Sequence, residues 1–253
     1  MRLHALALAG AVLAATPVFA QAPADRLVPM TLTAEMLACA DTPAIAPAPD
    51  APRVVAAQAP DYRASYVRGD VLVLDAGTDA GLEPGQQYFV RRTLPAASGA
   101  PASPEHPGAL RTAGWVTLTA VDAATALARV DTACAPIEPG DYLVPYAPPA
   151  LPAALGPDGP PAFDRMAQVL FGTDRRQQFA VGDIFTIDQG SDAGLTAGTR
   201  LVFFRDRRNG TPLVEVGDGA VLAVAPHAAT VVLSRQRDVV ESGDYAAPRG
   251  PRP

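Results

Sequence analysis

Lysine is absent from this 253-residue chain, so every basic side chain other than histidine is an arginine. That excludes a phosphate-cradling Gly-x-x-x-x-Gly-Lys loop. The formal net charge of -6 argues against a nucleic-acid partner, whose phosphates are met by a basic face. It argues equally against adsorption to an anionic membrane surface. Histidine is scarce: His4, His106 and His227 are the only three, and none stands in a His-x-x-x-His metal spacing. In "GSDAG" Ser191 directly follows Gly190, so there is no Gly-x-Ser-x-Gly elbow. The two cysteines form no Cys-x-x-Cys redox pair. No catalytic or cofactor-binding residue is assigned, and no cofactor is expected.

Long apolar runs are scarce too. The one at the start, "MRLHALALAGAVLAATPVFAQAPA", combines Arg2, an apolar stretch from Ala5 to Leu13, and a small-residue end at Val18-Phe19-Ala20. This is the pattern of a secretory leader over residues 1–20, cut after Ala20. Its apolar core is shorter than the ~20 residues that a membrane span requires. No cysteine at the cut offers a lipid attachment, and no later stretch spans a bilayer. The expected product is exported, periplasmic or extracellular, with no membrane span. In an oxidising compartment Cys39 and Cys134 are expected to form a structural disulfide; the alternative is a pair of free or buried thiols.

What the sequence does have is a repeat. Residues 53–92 align without a gap to residues 166–205. Gly69-Asp70 matches Gly182-Asp183, Asp75 matches Asp188, and Gly77, Asp79, Gly81, Leu82, Gly85 and Arg92 have identical partners. "GWVTLTAVDAATALARV" from Gly114 then faces "GAVLAVAPHAATVVLSR" from Gly219, and "PIEPGDYLVP" faces "DVVESGDYAAP". Each copy holds about six short segments rich in β-branched and aromatic residues, separated by turn signals. The expected fold is all-β: two tandem small β-barrels of about six strands each, arising by internal duplication. The boundaries are repeat 1 at 53–146 and repeat 2 at 165–248. Around them lie an N-terminal segment and Pro/Ala-rich spacer at 21–52, a Pro/Ala-rich linker at 147–164 and a C-terminal tail at 249–253, which is expected to fray. A short helix capped by Thr33 is expected within "TAEMLACA". Asn209-Gly210 signals a tight hairpin in repeat 2, where repeat 1 has a long Pro/Ala/Ser loop over 93–113.

The repeated "D-x-G-[ST]-D-A-G-L-x-x-G" reads first as a strand connection. Gly77, Gly81 and Gly85, with Gly190, Gly194 and Gly198, supply backbone angles closed to other residues. Asp79 accepts from turn amides, and Leu82 enters the core. The sharper reading is a calcium site from Asp75 and Asp79, with Asp188 and Asp192 in the second copy. Against it, calcium takes about six to eight oxygens and the alternating acids of an EF-hand are missing. Asp70, Asp141, Asp183 and Asp244 each follow a glycine before a strand and read as strand-entry turns. Arg92 and Arg205 are candidates to pair with a turn aspartate, and Tyr142, Tyr245 and Trp115 to pack at a barrel mouth.

The string "GD-h-h-x-h-D-x-G-[ST]-D-A-G-L-x-x-G-x-x-h-x-h-x-R", followed by "P-I-x-x-G-D-Y", resembles modules of exported bacterial envelope proteins. These often follow lysin-motif domains and are similar to the C-terminal domain of flagellar basal-body assembly protein T. The resemblance implies a small β-barrel with a scaffolding or binding role at the envelope; the chain has no lysin motif, and no binding residue carries over. The expected function is a non-catalytic binding or scaffolding module, with another envelope protein or peptidoglycan as partner. The alternatives are a cell-wall-directed hydrolase or metal-dependent enzyme, and a calcium-stabilised adhesion module.

Overall fold

A computed structural model describes residues 32–43, 47–59, 63–94 and 108–252. The expected leader, His106 and most of the 93–113 loop lie outside the described residues. Short apolar segments punctuated by glycine fold into strands throughout, joined by turns too tight for helix. The one α-helix among the described residues, α1 (Ala34–Cys39), starts where expected: Thr33 Oγ1 accepts from the Met36 N–H at 3.1 Å.

The first sheet is built from β1 (Thr42–Pro43), β2 (Val54–Ala57), β3 (Val71–Leu74), β4 (Gln87–Leu94), β5 (Ala109–Val121), β6 (Ala126–Ala133) and β7 (Tyr142–Pro145). Its order is β2-β3-β6-β5-β4-β7, with β1 added against the upper part of β5. Then come β8 (Ala167–Gly172), β9 (Gln178–Phe179), β10 (Ile184–Ile187), β11 (Arg200–Arg205), β12 (Val214–Val224), β13 (Ala229–Gln236), β14 (Val240–Glu241) and β15 (Tyr245–Pro248). Six of these close a barrel in the order β10-β13-β12-β11-β15-β8, while β9 and β14 pair apart from it. Each sheet has its own core. Leu72, Leu74, Val90, Val116 and Leu118 fill the first, and Phe179, Phe185, Phe203, Val221 and Val231 the second.

Only the second unit is a closed barrel; the first is a seven-stranded curled sheet. Its end strands β2 and β7 meet at a single Arg53–Tyr142 bridge. Proline accounts for the difference. Val54 and Val169 make the same bonds, accepting from Gly140 and Gly243 and donating to Asp141 and Asp244, each at 2.8 Å. Two residues earlier, Ala167 pairs with Ala246, whereas Pro52 accepts from the Leu143 N–H at 2.7 Å and has no N–H to return.

These bonds also correct the alignment of the two stretches. Val54 occupies the place of Val169, two residues away from the gapless match. Cross-strand pairing likewise sets Gly114 opposite Ala133 and Gly217 opposite Gln236, so Gly114 corresponds to Gly217 and not to Gly219. The repeat text fixes turns, where glycine is required, but two residues are gained or lost between them.

Three local expectations change. The β11–β12 connection is not a two-residue hairpin: Arg208 and Gly210 take positive φ, and Asn209 instead accepts from the Thr211 N–H through its side chain. The N-terminal spacer supplies β1. The C-terminal tail is bonded to the linker, Gly250 N–H to Pro160 at 3.0 Å and Arg252 to Asp158.

Candidate functional site

The repeated acids come first. Asp75 Oδ1 accepts from the Arg53 N–H at 2.7 Å and Asp188 Oδ1 from the Gln168 N–H at 2.6 Å, so both hold the preceding strand in place. Asp79 is exposed at a 3₁₀ turn, and its N–H donates to Ala123 at 3.0 Å. Asp192 pairs with the exposed His227 at 3.1 Å. Among the described residues, no three His, Cys, Asp or Glu side chains gather in a way that would hold a metal ion. Gly77 and Gly190 lie so close to the facing turn that a Cβ would meet the Asp122 and Ala225 carbonyl oxygens at 2.0 and 1.9 Å. Gly81, Gly85, Gly194 and Gly198 all have positive φ. Leu82 and Leu195 are buried beside them.

The four Gly-Asp pairs form one device used four times. Gly69, Gly140, Gly182 and Gly243 have φ of 92, 92, 92 and 93°. Each following aspartate accepts from the N–H three residues back: Val67, Glu138, Ala180 and Glu241 at 2.8, 2.9, 2.8 and 2.8 Å. Each is also held by an arginine. Arg63 meets Asp70 and Arg176 meets Asp183, while Arg92 and Arg205 grip the buried Asp141 and Asp244 through two nitrogens each. The Asp141 hydrogen bond chiefly holds the Arg92 guanidinium above its ordinary pKa, as Asp244 does for Arg205. Burial pushes Asp70 upward, but the Val67 N–H and Arg63 outweigh it and leave its carboxyl below the ordinary value. These charges are engaged in folding the chain.

The most elaborate polar cluster joins the two sheets, and sequence reasoning missed it. Cys39, at the end of α1, is disulfide-bonded to Cys134 just after β6, across 95 residues, with Cα atoms 5.5 Å apart. The same helix packs on the other unit: Leu37 and Ala40 bury against Ile184, Leu222 and Val232 on the outer face of the barrel. Next in the chain, the Asp41 carboxylate is fully buried. It accepts from Arg111 of β5 at 3.1 Å and from the Asp174 N–H of the barrel at 3.1 Å. Asp174 completes the triangle through its own carboxylate, 2.8 Å from Arg111. Burial lowers the pKa of Arg111, but the two acids more than reverse it. Asp174 and Arg175 both have left-handed backbone, φ of 59 and 56°, a conformation costly outside glycine and held here by these contacts.

A signal for this junction was present. At matching places the outer face has Thr119 and Arg129 in the first sheet, but Leu222 and Val232 in the barrel. Apolar residues on an outward face require a cover, and α1 supplies it.

A comparison with protein-family models finds none that matches the chain, and a comparison with curated proteins likewise finds no match.

Proposed function

We propose that the chain is a non-catalytic binding or scaffolding protein of the bacterial cell envelope, exported by its leader and built from two copies of one β unit. The observation that carries this reading is the junction: a disulfide, a buried Arg111–Asp41 pair and an apolar helix all tie the two units together. Two small sheets held together by an ion-paired junction and a helix disulfide-bonded to one of them are suited to presenting a fixed surface, and a disulfide suits an oxidising compartment. Matching neighbour order in the two sheets, with the four Gly-Asp turns at equivalent places, supports the duplication. Asp75, Asp188 and the aspartates of the four Gly-Asp turns are bound to backbone amides, which supports a structural role for them.

The test uses the product exported from the full-length gene, with cleavage after Ala20 checked by mass spectrometry. It is mixed with crude envelope and, separately, with sacculi stripped of protein. Co-sedimentation with both identifies peptidoglycan as the partner, and with crude envelope alone an envelope protein. Sedimentation with neither sinks the proposal, and release of soluble wall fragments replaces it with a hydrolase.

A further inference from the structure

The outer faces of the two units differ chemically at matching positions. In the barrel, Val202 of β11 lies between Asp218 of β12 and Ala247 of β15, and Phe204 between Glu215 and Tyr245. There Asp218 is satisfied by Arg249 at 2.7 Å, and Phe204 packs with Phe163, 5.1 Å between ring centres. In the first sheet the same register puts Phe89 and Arg91 on β4, Trp115 on β5, and Tyr142 and Tyr146 at β7. Trp115 and Tyr146 stand where the barrel has its Asp218–Arg249 ion pair. Their rings form one cluster with Phe89, at centroid distances of 4.7 to 5.9 Å.

Arg91 is the anomaly. Arg92, Arg111, Arg205, Arg235 and Arg249 all meet carboxylates. Arg91 is partly buried, donates through Nη1 to Thr112 Oγ1, and lies 4.6 Å over the Phe89 ring. Its Nε is buried without an acceptor, and among the described residues no acid reaches it. Burial depresses its pKa for want of a compensating charge, the Tyr142 hydroxyl being the only opposing influence. A desolvated cation with an unused donor is costly, and a cation–π contact offsets only part of that cost. A neighbouring guanidinium, Arg53, stands 6.0 Å from the Tyr142 ring and donates to the Gly140 carbonyl.

We infer that Arg91, stacked on Phe89 at the edge of the cluster that Phe89 forms with Trp115 and Tyr146, is a binding site for a peptide carboxylate carried next to an apolar or aromatic group. A guanidinium edge matches a carboxylate in geometry. A mostly desolvated site flanked by rings favours a weakly hydrated monoanion over a phosphate dianion, whose desolvation costs far more. The rings provide a stacking surface for the adjoining side chain. The inference gives the proposed binding role a ligand chemistry and rests on that role. Its probes are soluble, so its failure is distinguishable from a failure to sediment with envelope.

Trp115 is the sole tryptophan and reports on the site directly. The exported protein is titrated with N-acetyl-Phe-Ala bearing a free carboxylate, with its C-terminal amide, with N-acetyl-Phe-Asp-amide, and with inorganic phosphate. The free acid is expected to change Trp115 emission saturably, and the uncharged amide to do so at least tenfold more weakly. The aspartyl probe distinguishes a side-chain from a terminal carboxylate, and either response supports the site. Arg91→Phe reproduces the residue that the barrel carries at this register, so it should fold, and binding should fall at least tenfold. Arg91→Lys retains the charge and should fall less. Equal responses to acid and amide, tighter saturation by phosphate, or unchanged binding in a folded Arg91→Phe protein would overturn the inference.

Discussion

Replacing Cys39 and Cys134 together with serine removes a cross-link that closes a loop of 95 residues. The loop encloses all of β2 to β6 but none of the barrel strands. In the chain-entropy model, a loop of this length restricts the unfolded state by about 4.7 kcal/mol at 25 °C. That is a large share of the ~5–15 kcal/mol that holds an ordinary domain folded. The loss should fall on the first sheet, where Trp115 is the reporter. With a urea dependence of roughly 1–2 kcal/mol per molar, its fluorescence midpoint should drop by about 2–5 M. The barrel retains its strands and core, so the remaining far-UV dichroism transition should move much less. Its own loss is limited to looser docking of α1, since a six-residue helix has little stability alone. A Trp115 midpoint that stays in place would refute the reasoning, as would a barrel transition that falls as far as the first.

Two further outcomes follow from the ion-paired aspartates. Asp41→Asn leaves Arg111 with only the exposed Asp174 and weakens the bond to the Asp174 N–H. Breaking a buried pair costs roughly 3–5 kcal/mol, and the surviving Asp174 contact should reduce this to about 2–3, read from chemical denaturation. An unchanged denaturation midpoint would show that the junction does not depend on this carboxylate. Asp70 has a folded pKa below its ordinary value of 3.8, so its stabilisation is present above that pH and is lost as pH falls through the folded value. Urea midpoints between pH 2 and 6 should therefore fall less steeply toward acid in Asp70→Asn than in the parent. Parallel curves would remove Asp70 from the acid response.

Much of the architecture was legible because it is local. Short β-branched runs make strands wherever they find a partner. A glycine before an aspartate makes the same turn at Gly69, Gly140, Gly182 and Gly243, since the positive φ and the side-chain acceptor lie within four residues. The Thr33 cap was legible for the same reason, and two cysteines have a single intramolecular pairing open to them. Arg92 and Arg205 could be matched with a turn aspartate because both partners recur in the two similar stretches of sequence.

The remainder depended on residues distant in sequence. The seams of the two units differ by one hydrogen bond, which Ala167 permits and Pro52 denies, and that is visible only once the end strands meet. Asp41 looks like an ordinary spacer residue until folding brings it to Arg111, 70 positions away, and to Asp174, 133 away. Arg91 reads as one of many strand arginines; only packing shows it desolvated against Phe89 and, among the described residues, without an acid. The Gly-Asp turns, most strands and the cysteine pairing were readable from the sequence, because those follow from backbone angles and short-range patterns. The tertiary structure alone decided the closure, the junction and the unpaired cation, because each is set by which distant groups come to exclude water from one another.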